Sequence, residues 1–325
     1  MSKVRIGTRK SELALIQANM VKAELESHHS NIIVEIVEIN TSGDWKPEHG
    51  ETRLSEAQGG KGMFAKEIEL AILEGYVDCG VHSIKDMSSF LPEGLVIEHV
   101  LPRENPLDAL LTSDGVAKSI EDLPYGAVVG TSSLRRQAIA LSIRPDLKIV
   151  PLRGNVSTRI EKLNNNVVDA TFLAMAGLNR LGLEDRANSA ISAEIMLPAC
   201  AQGVIGIETR KDDERIRNIF TSINDFETNL CMVAERAVLQ VLDGSCRTPI
   251  GAYAILSGDN MKMESLVASE DGKLVIVESG DAKISCVDEA EAFGQKIGRL
   301  LKLRTPNNIL DKIENEEMGL KHIEC

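Results

Sequence analysis

The chain has 325 residues, 43% of them hydrophobic and 26% charged, which allows about two domains with buried cores. Its net charge of −13 argues against a general binder of nucleic acid or of anionic membrane surfaces. The opening Met1-Ser2-Lys3-Val4-Arg5-Ile6 lacks the apolar core of an export signal and no apolar run reaches spanning length, so a cytoplasmic protein is expected.

Val4–Gly7 reads as a short strand and Ser11 as the N-cap of a helix. In that helix Leu13, Ile16, Met20 and Ala23 share one face, broadened by Leu15 and Val21, which is expected to be the buried one. Ile32–Ile39 alternates as a strand, completing a β-α-β unit. Residues 41–62 are polar and glycine-rich, ending Gly59-Gly60-Lys61-Gly62, and are expected to form a loop. That tetrapeptide is not a Walker loop, because no hydroxyl residue follows Lys61 and Ser55 occupies the first glycine position. An amphipathic helix is predicted from about Met63 to Glu74, stopped by Gly75. A strand near Val77–His82 then delivers Val81-His82-Ser83-Ile84-Lys85-Asp86.

Beyond Leu101-Pro102-Arg103 a second, smaller α/β unit begins. Val128–Gly130, Leu147–Val150 and Ala170–Ala174 read as strands, with helices starting near Ser133, Ser157 and Ala176. A strand near Gly203–Glu208 is placed to re-enter the first sheet. From Glu227 the pattern changes to a helix as far as Leu242, then short strands with turns at Gly258-Asp259-Asn260 and Asp271-Gly272. In the first of these helices Leu230, Val233, Ala237 and Val241 share a face. A last helix runs near Glu289–Leu303, giving an α+β tail.

Charge is unevenly placed. Residues 131–180 hold eight Lys and Arg against three Asp and Glu, a basic island in an acidic chain, either a solvated face or a confined anion site. Two turns inside it favour the second reading. Gly130-Thr131-Ser132-Ser133-Leu134-Arg135-Arg136 and Leu152-Arg153-Gly154-Asn155-Val156-Ser157-Thr158-Arg159 each join a strand to a helix start. Unpaired N–H groups, the helix dipole and forked guanidiniums there make a carboxylate or phosphate socket. Arg144 is expected on the far side of the first of these helices, away from any socket. Asp86, beside Lys85 at a strand end, suits a proton shuttle or cation stabiliser, though such a residue taken alone is more often a structural cap or ion-pair partner. The six cysteines, at 79, 200, 231, 246, 286 and 325, show no metal-ligand spacing. Cys246 alone has turn-forming flanks and an adjacent Arg247 that favours thiolate.

Taken together these segments resemble the porphobilinogen deaminase (hydroxymethylbilane synthase) family over nearly the whole chain. The match runs through Gly7-Thr8-Arg9-Lys10-Ser11, Gly60-Lys61-Gly62-Met63-Phe64, Val81–Asp86 and both anion turns. It continues through Ala174-Met175-Ala176-Gly177-Leu178, Gln202-Gly203 with Gly206-Ile207-Glu208, and Cys246 with Pro249-Ile250-Gly251. The resemblance implies an α/β fold class: two periplasmic-binding-protein-like α/β domains with a double chain crossing, plus a C-terminal α+β domain. Residues 1–102 with 203–225, 103–202 and 226–325 would be those three domains.

The resemblance further implies stepwise condensation of four porphobilinogens, with loss of ammonia, on a dipyrromethane cofactor joined to Cys246 by a thioether. Linear hydroxymethylbilane would then be released by hydrolysis, for tetrapyrrole (haem) biosynthesis. Asp86 would be the catalytic carboxylate. Lys85, Ser133, Arg135, Arg136 and Gly154 would hold the cofactor, and Arg9, Ser11, Arg153, Arg159 and Arg180 the substrate, with Lys61 on an active-site loop. No metal or nucleotide is implied. The family pattern implies a monomer that contacts neither nucleic acid nor membrane; uroporphyrinogen-III synthase would take the product, with direct contact left open. Ala57, Ser88, Ala201 and Ser245 stand where many members have lysine, proline, glycine and glycine. The rival readings are a non-enzymatic anion-binding protein of the same two lobes and, with less support, a nucleotide-dependent transferase.

Overall fold

The computed structural model describes residues 2–42, 65–242, 249–307 and 309. Strand β1 (Ser2–Arg9), helix α1 (Glu12–His28) and strand β2 (Ile32–Ile39) form the expected β-α-β unit, the strands parallel with Val4 opposite Val34. Helix α2 (Lys66–Leu73) and strand β3 (Cys79–Ser83) follow, and Gly75 at φ 72° accepts the left-handed turn that ends α2. Residues 43–62 of the predicted loop and Met63 and Phe64 at the expected helix start lie outside the described residues.

After a 3-10 turn at Ile84–Asp86 and strand β4 (Leu95–Val100) the chain leaves this sheet. It builds a second one from β5 (Asp108–Thr112), β6 (Val128–Gly130), β7 (Lys148–Val150), β8 (Ala170–Ala174) and β9 (Ser189–Ile191). Helices α3 (Leu134–Ile143), α4 (Val156–Asn164) and α5 (Met175–Leu181) cover it. Strand β10 (Ile205–Arg210) then returns, as the sequence suggested, and pairs antiparallel between β3 and β4. The sheet orders are β2-β1-β3-β10-β4 and β7-β6-β8-β5-β9, so the chain crosses between two α/β domains twice.

The two crossings touch. Glu104 N–H donates to the Gly203 carbonyl at 3.2 Å, and a Cβ at Gly203 (φ 91°) would collide with the Glu104 carbonyl oxygen. Only glycine fits where the strands pass. Two residues earlier, Ala201 takes φ 57° without that excuse. The strain of a left-handed alanine is about 1–2 kcal/mol. Its methyl is buried with Ile84, Met87, Val204 and Met232, which offsets much of it.

Helix α6 (Glu214–Phe220) closes the first domain, and α7 (Phe226–Val241) leads to the antiparallel sheet β11 (Ile250–Ser257), β12 (Asn260–Ala268) and β13 (Val275–Lys283), backed by α8 (Val287–Arg304). The tail is α+β, as the pattern predicted.

Two local expectations are corrected. The buried face of α1 is Ala14, Gln17, Ala18, Val21 and Leu25, whereas Met20 is exposed and Leu13 faces the interdomain space near Gly177. Ala14 and Ala18 let the helix lie close to the sheet, and Leu13 serves the second domain instead. Helix α7 is buried well beyond the predicted stripe, with Glu235 and Arg236 inside, because three domains pack around it. Arg144 lies off the cavity, as expected, and is tied down there. It bonds Asp146 at 2.7 Å and the Glu121 and Leu123 carbonyls at 2.9 and 2.8 Å, tying the end of α3 to the preceding loop.

One buried cluster carries a pH prediction. Glu69 on α2 is buried near the His82–Glu208 pair, whose nitrogen and oxygen are 3.1 Å apart. Burial, then the Glu208 carboxylate, pushes the Glu69 carboxyl up to about 7. The folded chain therefore holds a proton there more tightly than the unfolded chain. The stability this contributes is complete below about pH 4 and is lost as pH climbs through about 7. Glu69→Gln is expected to be more stable than wild type at pH 8 by roughly 1–2 kcal/mol and indistinguishable near pH 4, as read by urea denaturation. An equal difference at both pH values would mean that burial of the charge is not the cause.

Candidate active site

The carboxyl ends of the strands in both α/β domains face one cavity of about 720 Å3, within the range of small-molecule sites. Among the described residues its lining contains eight basic side chains against two carboxylates, Glu12 and Asp86, so a strongly acidic chain has a locally cationic cleft.

The local chemistry explains the position. Gly130-Thr131-Ser132-Ser133 ends β6, and the Ser133 hydroxyl accepts from the Arg136 N–H at 3.4 Å, starting α3 at Leu134. The second turn is capped by Asn155, its side chain accepting from the Thr158 N–H at 2.8 Å, so α4 starts at Val156, near Ser157 as expected. The Asn155 carboxamide oxygen reaches forward to an otherwise free N–H group of the first turn of α4. Gly154 (φ 111°) leaves room there, since a Cβ would meet Thr158 Cγ2 at 2.7 Å. A third helix start, Ser11 before α1, lines the same cavity, and its hydroxyl makes no capping bond to its own helix. Three helix N-termini thus converge on one space, which suits anions.

Every site residue named from the sequence within the described residues lies along this cavity. Arg9, Ser11, Lys85 and Asp86 come from the first domain, and Ser133, Arg135, Arg136, Arg153, Gly154, Arg159 and Arg180 from the second. Cys246, Ser245, Arg247, Lys61 and Ala57 lie outside the described residues. Ile250, four positions beyond Cys246, and Leu239 on α7 line the cavity.

Sequence reasoning missed the groups behind this wall. Arg135 and Arg136 do not simply project into the cleft. Both are buried against Asp108: Arg136 Nη2 donates to Oδ1 at 2.6 Å, and Arg135 Nη1 stands 2.8 Å from Oδ2. Although burial alone would raise it, the two guanidiniums hold the Asp108 carboxyl far below the usual carboxylate range. Lys85 Nζ donates to Gln202 Oε1 at 3.2 Å. It keeps some solvent contact, yet the protein packed round it lowers its pKa to about 8. Arg180 donates to the Gly203 carbonyl at 2.7 Å, and burial lowers its pKa to about 10. Gln17 and Ser83, paired at 2.8 Å, complete the wall beside Asp86. No motif marks Asp108 or Gln17, whose partners are distant in sequence, and Ser83, though inside the Val81–Asp86 motif, has no assigned role there.

Asp86 sits in the 3-10 turn that continues β3, next to the cationic wall and open to the cavity. Of the described cysteines, Cys200 lines the cavity, but burial pushes its thiol far above the usual range. Cys79 is raised in the same way and Cys231 is raised to about 12, so these three stay protonated.

A family model described as "Porphobilinogen deaminase, dipyromethane cofactor binding domain" matches residues 4–218, and one described as "Porphobilinogen deaminase, C-terminal domain" matches residues 229–302. Among solved structures, the chain is similar to a periplasmic sulfonate-binding protein from Methylobacillus flagellatus KT, at 17% identity and a TM-score of 0.40, over 74% of this chain and 69% of that one. It is also similar to a nutrient binding protein from Burkholderia cenocepacia bound to methionine, at 16% identity and a TM-score of 0.42, over 69% of this chain and 93% of that one. No helix among the described residues is long and apolar enough to cross a membrane.

Proposed function

The chain belongs to the porphobilinogen deaminase family, whose transferase activity makes hydroxymethylbilane for tetrapyrrole synthesis, and from that premise we propose how its residues divide the work. The first family model is that of a dipyrromethane-binding domain, so the cavity must accept a small anionic bis-pyrrole. The residues fit it. The volume is adequate, the lining carries a large excess of cations, and Gly154 leaves backbone amides uncovered at a helix start.

When bound, the dipyrromethane supplies the pyrrole carbon from which the product grows. Lys85, Ser133, Arg135, Arg136 and Gly154 hold its carboxylates, and Cys246 anchors it through sulfur. Arg9, Ser11, Arg153, Arg159 and Arg180 receive the acetate and propionate of porphobilinogen. A carboxylate gains from each fork in proportion to how well water is excluded. We assign Lys61 to the active-site loop that the family pattern implies.

Asp86 supplies a proton to the departing amine of porphobilinogen, and its carboxylate then faces the positive charge left on that pyrrole. The surrounding cations cannot take this role, since they would repel the developing charge. The carboxylate beside the cationic wall is the observation that carries the proposal. It gives the site groups for both ends of the substrate: cations for its acids, an anion for its reacting carbon.

The domain limits we propose are 1–102 with 203–225, 103–202 and 226–325, supported by the two chain crossings. A cytoplasmic monomer that passes its product to uroporphyrinogen-III synthase completes the proposal, supported by the biosynthetic role of the family. Ammonia release from porphobilinogen separates it from a two-lobed anion-binding protein. The purified chain should release one ammonia per porphobilinogen consumed, and binding without release would support the rival.

A further inference from the structure

We propose that Asp108 is a positioning residue that organises the cationic wall from behind and links it across the two domains. The proposal rests on the reading of the cavity as the site of pyrrole condensation.

Asp108 begins β5, is fully buried, and stands behind the lining of the cavity. Its Oδ1 receives Arg136 Nε at 3.0 Å and Nη2 at 2.6 Å, while Arg136 Nη1 donates to the Phe172 carbonyl at 2.7 Å. All three nitrogens of that guanidinium are engaged, so its plane is fixed. Arg135 Nη1 is 2.8 Å from Oδ2 and donates to the Leu197 carbonyl at 2.7 Å. Asp108 Oδ1 also receives Gln202 Nε2 at 3.1 Å, and the same nitrogen donates to the Pro106 carbonyl at 2.6 Å. With its NH2 group held by two acceptors, the Gln202 amide has only one sensible orientation. Its Oε1 therefore points to Lys85 Nζ, 3.2 Å away.

One carboxylate in the second domain thus fixes the Arg136 guanidinium, pairs with that of Arg135 and, through the amide of a crossing turn, holds the ammonium beside Asp86 in the first domain. Electrostatics gives this arrangement a purpose. Without an anion behind them, Arg135, Arg136 and Lys85 would repel one another in a poorly solvated wall. With it, they keep enough positive charge to attract carboxylates and are held at fixed spacing, so little reorganisation is needed when the substrate arrives. The groups that act on Lys85 are Asp86 on its own turn, Arg135 and Arg136 on α3, and Asp108 on β5. Of these, the two carboxylates raise its pKa and the two arginines lower it.

The test compares wild type with Asp108→Asn by intact mass, thermal unfolding and steady-state ammonia release across pH. Among molecules carrying the cofactor adduct, Asp108→Asn is expected to raise KM by about tenfold to a hundredfold with a smaller loss in kcat, the scale of a misplaced binding group. The alkaline limb of kcat/KM should move to lower pH, because Lys85 loses a neighbouring negative charge. Asp108→Glu, which keeps the charge, should return the limb towards its wild-type position. If Asp108→Asn does not fold, Gln202→Met tests the same link while leaving Asp108 and its arginines paired, and should also raise KM and shift the limb. An unchanged KM and limb, or a loss confined to the fraction of active molecules, would overturn the positioning role. Wild type that releases no ammonia would instead overturn the function on which the proposal rests.

Discussion

Asp86→Asn is expected to lower turnover by about a hundredfold to a thousandfold, the cost of removing a positioned charge from a site where water cannot replace it. The substitution keeps size and shape, so the 3-10 turn at Ile84–Asp86, held by the Met87 N–H to Ile84 carbonyl bond at 3.0 Å, should survive. Folding and adduct mass should therefore change little. The loss should fall on kcat rather than KM, since the carboxylate matters most when positive charge develops on the pyrrole. Asp86 also raises the Lys85 pKa, so its removal leaves the lysine easier to deprotonate. The variant should accordingly lose substrate affinity at lower pH than wild type does. Turnover near the wild-type level, measured as ammonia release under saturating substrate, would remove Asp86 from the mechanism.

Cys246→Ser is expected to abolish activity altogether, and to do so by removing the cofactor. Wild-type protein, denatured and reduced, should weigh more than its sequence by a dipyrromethane unit, because a thioether resists reductants that would strip a disulfide adduct. Proteolysis should place the added mass on the peptide containing Cys246. Cys200 is the informative rival, since it lines the cavity and Cys246 lies outside the described residues. Burial keeps the Cys200 thiol protonated, however, and a protonated thiol is a poor nucleophile. Cys200→Ala should therefore retain the added mass. An adduct on Cys200 would overturn the attachment site, and full activity without any adduct would overturn the cofactor's role.

What the sequence determined by itself was whatever depends on neighbours along the chain. The β-α-β unit at Ser2–Ile39 follows from alternation and helical period, and the anion turns follow from glycine, hydroxyl and arginine at a strand-to-helix junction. The return of β10 to the first sheet and the tail hairpins were legible for the same reason. The tertiary structure alone decided what depends on partners far along the chain. It turned α1 onto Ala14, Gln17, Ala18, Val21 and Leu25, leaving Leu13 towards the second domain and Met20 exposed. It buried α7 with Glu235 inside, bonded to Arg103 from the crossing at 2.5 Å, where periodicity showed only an apolar stripe. It made Arg144 a tie and placed Asp108 behind Arg135 and Arg136. A buried charge is stable only with its counterpart in place. Asp108 is 28 residues from Arg136, and Gln202 is 117 residues from Lys85, so only the folded backbone sets which charges meet.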